Sequence, residues 1–153
     1  MSKVVLITGA SSGIGKSTAK LLSKKGFRVY GTGRNPKKND NNGYSLIALD
    51  VTKPETITLA INLILEKEGR LDVLVNNAGM GITGPIEDTP TNEMRKVFET
   101  NFFGAIDMMK GVLPQMRKQQ SGTIINVTSI AGYMGLPFRG VYSATKGALD
   151  LVS

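Results

Sequence analysis

The sequence predicts an α/β fold in which helices cover both faces of a doubly wound parallel sheet, in three α/β/α layers. Short apolar runs alternate with longer helical patterns along the 153 residues, and successive parallel strands require such helical crossovers. A glycine-rich turn joins the first apolar run to the first helical pattern. Because this length suits one core of ordinary size, we expect a single domain, residues 1–153.

Five apolar runs predict the strands. Each run is short and rich in aliphatic or β-branched residues, and a glycine or a polar residue follows it. The second run is the weakest, because Gly31 and Gly33 interrupt it. In chain order the predicted strands are Lys3–Thr8, Arg28–Thr32, Ser45–Leu49, Leu71–Val75 and Thr123–Thr128.

Four helical patterns alternate with these strands. Gly26 ends the first pattern, and Thr52 and Thr91 are the expected N-caps of the second and third. The predicted helices are Ile14–Lys25, Pro54–Glu68, Thr91–Lys118, which Gly104 or Gly111 could interrupt, and Val141–Ser153.

Long loops follow the fourth and fifth strands, at Asn76–Thr89 and Ser129–Gly140, and a polar loop spans Arg34–Gly43. Loops at the carboxyl ends of parallel strands are where ligands bind in such sheets. The chain stops at Ser153, within a helix that shows no stop signal. We therefore expect a sheet that is incomplete at its C-terminal edge, with the last strand left open.

The composition argues against several classes of function. Nineteen Lys and Arg against 12 Asp and Glu give a formal charge of +7, which suits an anionic ligand. The basic residues are scattered and aromatic residues make up 6%, so nucleic acid is not expected as a partner. Cysteine and histidine are absent, which removes disulfides, a thiol nucleophile, the usual zinc ligand and the usual general base. No metal site is expected.

No apolar run in the sequence suggests a membrane segment. The first run stops at Thr8, too early for a signal peptide, and no stretch approaches the ~20 apolar residues of a membrane span. A cytoplasmic location is the expectation that follows.

The glycine-rich turn has two interpretations. Residues Ala10–Ser17 fit the loosest form of a triphosphate-binding loop, in which Lys16 would meet the phosphates and Ser17 a magnesium ion. Alternatively, glycines at 9, 13 and 15 form a variant of the dinucleotide-binding turn, which needs a tight bend and close approach of the backbone to a pyrophosphate. The same glycines could also serve only to turn the chain from a strand into a helix.

The end of the second predicted strand bears on which dinucleotide would bind. NAD sites usually place an acid there for the ribose hydroxyls, but this chain has Arg34, and its next acid is Asp40. Arg34, with help from Lys37 or Lys38, could pair with the 2′-phosphate of NADP. A loop arginine in solvent fits the same sequence.

Tyr142, Lys146 and Ser129 are the residues most suited to acid–base chemistry in a chain without histidine. Tyr142 and Lys146 are four residues apart on a predicted helix and so share one face. A phenol is a poor base at neutral pH, but a neighbouring ammonium favours its ionised form. Ser129 follows the fifth predicted strand and could donate a hydrogen bond to a substrate oxygen. A Tyr–Lys pair at this spacing is also common on ordinary helix surfaces.

Six motifs in this order together carry a resemblance to a known family. The whole chain resembles the short-chain dehydrogenase/reductase family, whose members bind NAD(H) or NADP(H) on a Rossmann-like sheet and move a hydride to or from a carbonyl or alcohol carbon. The motifs are Thr8-Gly9-Ala10-Ser11-Ser12-Gly13-Ile14-Gly15, Asp50-Val51, Asn76-Asn77-Ala78-Gly79, Asn101, Ser129 and Tyr142-Ser143-Ala144-Thr145-Lys146.

The resemblance implies a set of cofactor-binding residues. The first turn would hold the pyrophosphate and the adjoining ribose, a second group would border the adenine, and a third would line the cofactor ribose and support the sheet. In that order these are Gly9, Ser11, Ser12, Gly13, Ile14 and Gly15; Asp50 and Val51; and Asn76, Ala78 and Gly79. The basic Arg34 resembles the NADP-preferring members, so NADP is expected over NAD.

The resemblance also implies catalytic roles. Tyr142 would give or take the proton, and Lys146 would hold the nicotinamide ribose and favour the phenolate. Ser129 would orient the carbonyl, and Asn101 would hold a water in a proton relay towards Lys146.

Family members run to roughly 250 residues as one domain, so the chain resembles a family member truncated at its C-terminus. The resemblance implies a homo-oligomer for a full-length member, and the missing part would include much of the substrate pocket. Two alternatives stay open: a nucleotide-binding fragment without catalysis, and a P-loop triphosphatase.

The substrate expected from the resemblance is a small carbonyl compound or alcohol. Two predicted loops, Met80–Thr89 and Ile130–Gly140, contain several apolar residues, which hints at an apolar substrate. These residues are Met80, Ile82, Ile86, Tyr133, Met134, Leu136 and Phe138.

Overall fold

The computed structural model describes residues 2–36 and 43–153. Within them, five parallel strands form one sheet with the order β3-β2-β1-β4-β5. The strands are β1 (Val4–Ile7), β2 (Arg28–Gly33), β3 (Ser45–Ala48), β4 (Val73–Asn76) and β5 (Thr123–Asn126). The predicted doubly wound α/β fold is confirmed, and the strand order reverses between β1 and β4. Ligands in such sheets bind at the carboxyl ends of the strands near this reversal.

The helical segments are α1 (Gly13–Lys24), α2 (Pro54–Glu68), α3 (Thr91–Phe98), a π-helical turn (Glu99–Phe103), α4 (Gly104–Gln119), α5 (Ile130–Tyr133) and α6 (Gly140–Leu151). Within the described part of the chain, no helix combines the length and the apolar character needed to cross a membrane.

Alternating side chains of β1 build the two cores on the two faces of the sheet, as the period of a strand requires. Val4 and Leu6 pack with residues of α2 and α4, whereas Val5 and Ile7 pack with Ala19 of α1. All four β1 side chains are fully buried. Helices therefore cover both faces of the central strand.

Four details of the sequence-based elements are wrong. Lys53, not Thr52, is the N-cap of α2, because Thr52 instead donates its backbone N–H and its hydroxyl to Asp50. Pro90, not Thr91, is the N-cap of α3. The predicted loop after β5 contains the short helix α5, and α6 ends at Leu151.

The strand boundaries also differ for physical reasons. β4 does not include Leu71, because the side chain of Gln119 bonds both its N–H (3.0 Å) and its carbonyl (3.1 Å). β5 ends before Val127, whose carbonyl accepts a hydrogen bond from Lys146. The third predicted helix is interrupted just before Gly104 by the π-helical turn, and it continues through Gly111.

Candidate functional site

A cleft of ≈ 860 Å³ opens at the carboxyl ends of the strands, beside the reversal between β1 and β4. Ten of the predicted cofactor-binding residues line it: Gly9, Ser11, Ser12, Gly13, Ile14, Arg34, Asp50, Val51, Ala78 and Gly79. Gly15, Asn76, Tyr142 and Lys146 do not line it. Met80, which was expected to contact substrate, also lines this cleft. Sequence reasoning missed eight further lining residues: Thr32, Gly33, Leu49, Thr52, Asn77, Lys96, Glu99 and Thr100.

The glycine turn is shaped by three different requirements. Gly9 has a left-handed φ of +67°, and a Cβ there would lie 2.9 Å from the Cα of Ala78. A Cβ on Gly15 would lie 2.4 Å from Nδ2 of Asn77 and 2.5 Å from the carbonyl oxygen of Gly9. Gly13 has a φ of +54° but open space around it. Gly9 and Gly15 thus allow close packing, whereas Gly13 bends the chain and leaves the cleft open.

Helix α1 begins at this turn without a side-chain cap. The hydroxyl of the N-cap residue Ser12 makes no capping hydrogen bond, and the first turn contains no acidic residue. The first backbone N–H groups of a helix lack intrahelical partners and carry a partial positive charge. The start of α1 can therefore hold an anionic group such as a pyrophosphate.

The glycines that weaken β2 in the sequence allow the turn to lie against this strand. A Cβ on Gly31 would approach the ring of Tyr44 to 2.6 Å and the Cβ of Ala10 to 2.7 Å. A Cβ on Gly33 would lie 2.9 Å from the Cβ of Ser11. Only glycine fits at these two positions, because Ala10 and Ser11 of the turn and the ring of Tyr44 lie too close to β2 for any side chain.

Thr8 joins the first turn to the loop after β4. Its buried hydroxyl oxygen accepts hydrogen bonds from the backbone N–H groups of Asn77 (3.0 Å) and Ala78 (2.9 Å). The side-chain amide of Asn77 donates back to the carbonyl of Thr8 at 2.9 Å. Sequence reasoning assigned no role to Thr8 or Asn77, although both lie within motifs at the ends of strands that the fold places side by side.

Asn76 lies behind the cleft wall. Its side-chain amide donates to the carbonyl of Ala105 (3.2 Å) and to Oδ1 of Asn126 (2.9 Å), and the residue is 3% exposed. This arrangement ties β4 to α4 and β5. Asn76 thus supports the sheet and does not face the cleft.

Asp50 and Arg34 lie at the end of the cleft formed by β2 and the loop after β3. Oδ1 of Asp50 accepts hydrogen bonds from the N–H (3.0 Å) and the hydroxyl (2.8 Å) of Thr52. Burial alone would raise the pKa of Asp50, but these bonds and the charges of Lys53 and Arg34 outweigh it and leave the pKa lowered. The proposed helpers Lys37 and Lys38, and Asp40, lie outside the described residues.

Lys146 extends from α6 towards Gly79 of the cleft wall, although it is not itself among the lining residues. Its ammonium group donates to the carbonyl of Val127 at 2.6 Å, and the residue is 5% exposed. A Cβ on Gly79, in the cleft wall, would lie 3.7 Å from Nζ. Burial lowers the pKa of Lys146. Nζ has three protons, so it can donate further hydrogen bonds towards a ligand beside Gly79.

Ser129 is the N-cap of α5, and its oxygen accepts a hydrogen bond from the N–H of Ala131 at 3.2 Å. The hydroxyl proton is still free to be donated. Helices α5 and α6 are in contact through two glycines. A Cβ on Gly132 would lie 2.7 Å from the backbone nitrogen of Gly147, and one on Gly147 would lie 3.0 Å from the carbonyl oxygen of Gly132. This contact sets the helix that begins after Ser129 directly against the helix that carries Tyr142 and Lys146.

Asn101 lies in the π-helical turn, a feature frequent at functional sites. Its Oδ1 accepts from the N–H of Met80 (2.8 Å), and its Nδ2 donates to the carbonyl of Met80 (2.9 Å) and to Oγ1 of Thr145 (3.1 Å). The side chain is 1% exposed. Asn101 therefore connects the cleft wall to α6, and its predicted role in a water relay stays a prediction.

Tyr142 is half-buried in the first turn of α6, and the guanidinium carbon of Arg139 lies 5.9 Å from the centre of its ring. A second recess of ≈ 360 Å³ opens beside this turn, and the two loops that the sequence analysis expected to contact substrate form its walls. Apolar side chains dominate these walls, among them Ile82, Leu136 and Phe138. The recess can therefore take an apolar group beside the start of α6, where Gly140 and Val141 line it.

The alternative triphosphate site finds no support in this geometry. Lys16 and Ser17 lie in α1 and not on the cleft wall. The cleft is instead lined by the start of α1, the end of β2, the loop after β3 and the loop after β4. In a doubly wound sheet these segments surround a bound dinucleotide.

Comparisons with known proteins agree with this arrangement. The 3-ketodihydrosphingosine reductase of Bacteroides thetaiotaomicron is 48% identical over 148 residues, which are 97% of this chain and 55% of that protein. Human retinol dehydrogenase 8 is 38% identical in an alignment that covers 97% of this chain and 51% of that protein. The chain thus spans about half the length of these curated relatives.

Solved structures give the same result. A short-chain dehydrogenase from Streptomyces avermitilis superposes with a TM-score of 0.94 at 39% identity, covering all of this chain and 58% of that one. ElxO with NADP bound superposes with a TM-score of 0.93 at 38% identity, covering all of this chain and 66% of that one. A family model described as short chain dehydrogenase matches residues 3–153. The chain therefore belongs to the short-chain dehydrogenase/reductase family.

Proposed function

We propose that this chain forms the cofactor-binding and acid–base part of an NADP(H)-dependent oxidoreductase that acts on an apolar carbonyl compound or the corresponding secondary alcohol. The observation that carries this proposal is the position of Lys146. Its buried ammonium lies beside Gly79 of the cleft wall, and Tyr142 is one helical turn before it. Burying a cation is costly unless it is paired and hydrogen-bonded, and buried charges of this kind cluster at functional sites.

Binding of the cofactor would use the residues of the cleft. The start of α1 would hold the pyrophosphate through its free N–H groups. When bound, the nicotinamide supplies the hydride for reduction or accepts it in oxidation. The remaining N–H groups of Lys146 would donate hydrogen bonds to the ribose of the cofactor.

In the reductive direction, the carbonyl carbon of the substrate gains a hydride while its oxygen gains the phenol proton of Tyr142. Ser129 would donate a hydrogen bond to the same oxygen and orient it, while keeping its own proton. Tyr142 is then reprotonated from solvent, so that one hydride and one proton are consumed for each alcohol formed.

The preference for NADP is supported by Arg34. This side chain lines the cleft at the end of β2, and the described residues there include no acid before Asp50. Replacing Arg34 with Ala should weaken NADPH binding by roughly tenfold to a hundredfold, the usual effect of losing a charged hydrogen bond, and should leave NADH binding unchanged. Fluorescence titration with both cofactors measures this, and equal weakening of both would contradict the preference.

Two further observations support an apolar substrate. One is the recess with apolar side chains beside the start of α6, and the other is the names of relatives that act on 3-ketodihydrosphingosine and retinol. A homo-oligomer and a cytoplasmic location stay predictions.

The proposed activity is tested by following nicotinamide absorbance while the protein is mixed with NADPH and a panel of apolar ketones. Tyr142→Phe should lower turnover by roughly a hundredfold or more, the usual contribution of a general acid, and should retain NADPH binding. Tyr30→Phe is the matched control, because the hydroxyl of Tyr30 bonds to Glu68, a residue absent from the cleft wall. Full turnover by Tyr142→Phe would rule out its role. NADPH binding without any turnover by the unchanged chain would favour the alternative of a binding module.

A further inference from the structure

A continuous chain of hydrogen bonds runs from the cleft wall to the backbone of Tyr142. Both backbone polar groups of Met80 bond to the side chain of Asn101, at 2.8 and 2.9 Å. Asn101 then donates to Oγ1 of Thr145 at 3.1 Å. Finally, the hydroxyl of Thr145 donates a hydrogen bond to the carbonyl of Tyr142 at 2.7 Å. Met80 lines the cleft, so the chain begins at the proposed cofactor site and ends at the proposed catalytic residue.

The two middle members of this chain are shielded from water. Asn101 is 1% exposed and Thr145 is 0% exposed. A hydroxyl can donate one hydrogen bond and accept others. The hydroxyl of Thr145 does both, because it accepts a hydrogen bond from Asn101 and donates one to the carbonyl of Tyr142. Buried polar groups linked in this way reinforce one another, and removing one leaves its neighbour without a partner.

An ordinary structural explanation accounts for only part of this arrangement. Threonines in helices often bond to a carbonyl of the preceding turn, as Thr58 does with Pro54 in α2 at 3.1 Å. Thr58 is exposed. Thr145 differs because its hydroxyl also accepts a bond from another segment, the π-helical turn, and that segment holds the cleft wall at Met80.

We propose that Thr145 is a positioning residue that sets the first turn of α6, and with it Tyr142, relative to the cleft wall. The inference rests on the proposed role of Tyr142. An occupied cleft would fix Met80, and Asn101 and Thr145 would pass that constraint to the carbonyl of Tyr142. A catalytic acid displaced by about 1 Å loses roughly a hundredfold in rate, so the hydroxyl of Thr145 would matter without touching substrate or cofactor.

Three variants separate positioning from packing. Thr145→Val keeps the shape and removes the hydroxyl, Thr145→Ser keeps the hydroxyl, and Thr58→Val removes a threonine-to-carbonyl bond of the same kind elsewhere. We expect Thr145→Val to lower kcat by roughly tenfold to a hundredfold with an unchanged dissociation constant for NADPH. We expect Thr145→Ser to restore kcat, and Thr58→Val to leave it unchanged. Equal kcat for the Val and Ser variants at position 145 would overturn the proposal.

A second measurement does not depend on turnover. The chain labelled with carbon-13 at the carbonyl of tyrosine gives a resonance for Tyr142 that reports the bond from Thr145. Addition of NADPH should displace this resonance in the unchanged chain and in Thr145→Ser, and should displace it much less in Thr145→Val. An absent displacement in the unchanged chain, or an equal one in Thr145→Val, would overturn the proposal.

Together, the kcat values and the carbonyl resonance distinguish a failure of the proposed function from a failure of the proposed role of Thr145. If no carbonyl compound is reduced although NADPH displaces the resonance as expected, the proposed function fails while the link through Thr145 stands. If turnover occurs and is insensitive to Thr145→Val, the proposed function stands and the positioning role fails. Should the Val variant not fold, Thr145→Ala removes the same hydroxyl with a smaller side chain and takes its place in both measurements.

Discussion

At the amino ends of the strands polar side chains pair with one another, whereas at the carboxyl ends they surround an open cleft. Asp72, 5% exposed, accepts hydrogen bonds from the N–H of Val4 (2.7 Å) and from the guanidinium of Arg70 (2.6 Å). Nearby, the side chain of Gln119 bonds both backbone groups of Leu71. These contacts tie β1, β4 and α4 together, so polar groups at this end serve stability.

The carboxyl end contains a feature that is costly for stability. The ammonium of Lys146 is buried against a carbonyl and has no carboxylate partner among the described residues. Buried charges of this kind are concentrated at functional sites, where the rest of the fold must hold them in place. The comparison predicts that a change at the amino end alters stability alone, whereas a change at the carboxyl end alters cofactor binding or turnover.

The largest effect is expected for Gly9→Ala. The new Cβ would meet the Cα of Ala78 at 2.9 Å, and the residue would keep a φ of +67°. Overpacking against backbone and left-handed strain together should lower the free energy of unfolding by roughly 3 kcal/mol. Cofactor binding should fall as well, because Ala78 is part of the cleft wall. Urea unfolding and NADPH titration measure the two effects.

Gly26→Ala is the control for this change. Gly26 also has a left-handed φ, +86°, but apart from its chain neighbours none of the described residues lies within 4 Å of the position of its Cβ, and Gly26 does not line the cleft. Gly26→Ala should lower the free energy of unfolding only by the cost of the left-handed conformation, about 1 kcal/mol, and should leave cofactor binding unchanged. Equal losses for the two variants would show that the contact with Ala78 has no energetic importance.

A smaller effect is expected for Asp72→Asn at the opposite end of the sheet. Losing the charge on one partner of the bonds to Val4 and Arg70 should lower the free energy of unfolding by about 2 kcal/mol at neutral pH. NADPH binding should not change, because Asp72 is at the other end of the sheet from the cleft. Weakened cofactor binding in a fully folded variant would contradict the division between the two ends.

The same residue predicts a pH dependence. Burial alone would raise the pKa of Asp72, but the bonds from Arg70 and Val4 and the charges of Arg70 and Lys3 leave it lowered. The stability that Asp72 contributes is therefore complete above its unfolded pKa, ~3.9, and is lost as the pH falls through the lower folded value. Acid unfolding should be less steep for Asp72→Asn than for the unchanged chain.

Much of the fold could be predicted from the sequence because local signals and the global fold agree. Short apolar runs indicated all five strands, and their alternation with helices indicated a parallel sheet. The errors are at places where a long-range contact prevails over a local preference. Thr52 is a good N-cap by type, yet Asp50 binds its hydroxyl. α5 was not predicted because four residues, Ile130–Tyr133, give no period, although Ser129 before them is a cap by type.

The site shows the same limit. The motifs indicated which segments surround the cleft, because each motif carries its own chemistry. Thr8, Asn77 and Thr145 were assigned no role, since their partners are distant in sequence or belong to a π-helical turn that no pattern predicts. The glycines at 31 and 33 were taken only as weak points in a strand, and the turn packed against them gives the reason for their presence.

The smallest change in the free energy of unfolding is expected for Lys146→Met. This variant tests the comparison between the two ends most sharply. Methionine has a similar length and no charge, so near neutral pH this variant should keep its free energy of unfolding within about 1.5 kcal/mol of the unchanged chain, as volume-conserving changes do. Turnover should be lost at the same time. A functional group that is costly to bury thus contributes little to stability, unlike Asp72.

The difference in unfolding free energy between the unchanged chain and Lys146→Met should depend on pH, and the direction of that dependence can be derived. Burial lowers the pKa of Lys146, so between the folded value and ~10.4 the unfolded chain binds more protons than the folded chain. The free energy of unfolding of the unchanged chain should therefore rise relative to Lys146→Met as the pH increases through this range. Urea unfolding of both proteins at neutral and alkaline pH measures the difference. A difference that falls with pH would mean that Lys146 is stabilised as a cation by the fold, and the carboxyl end would then resemble the amino end.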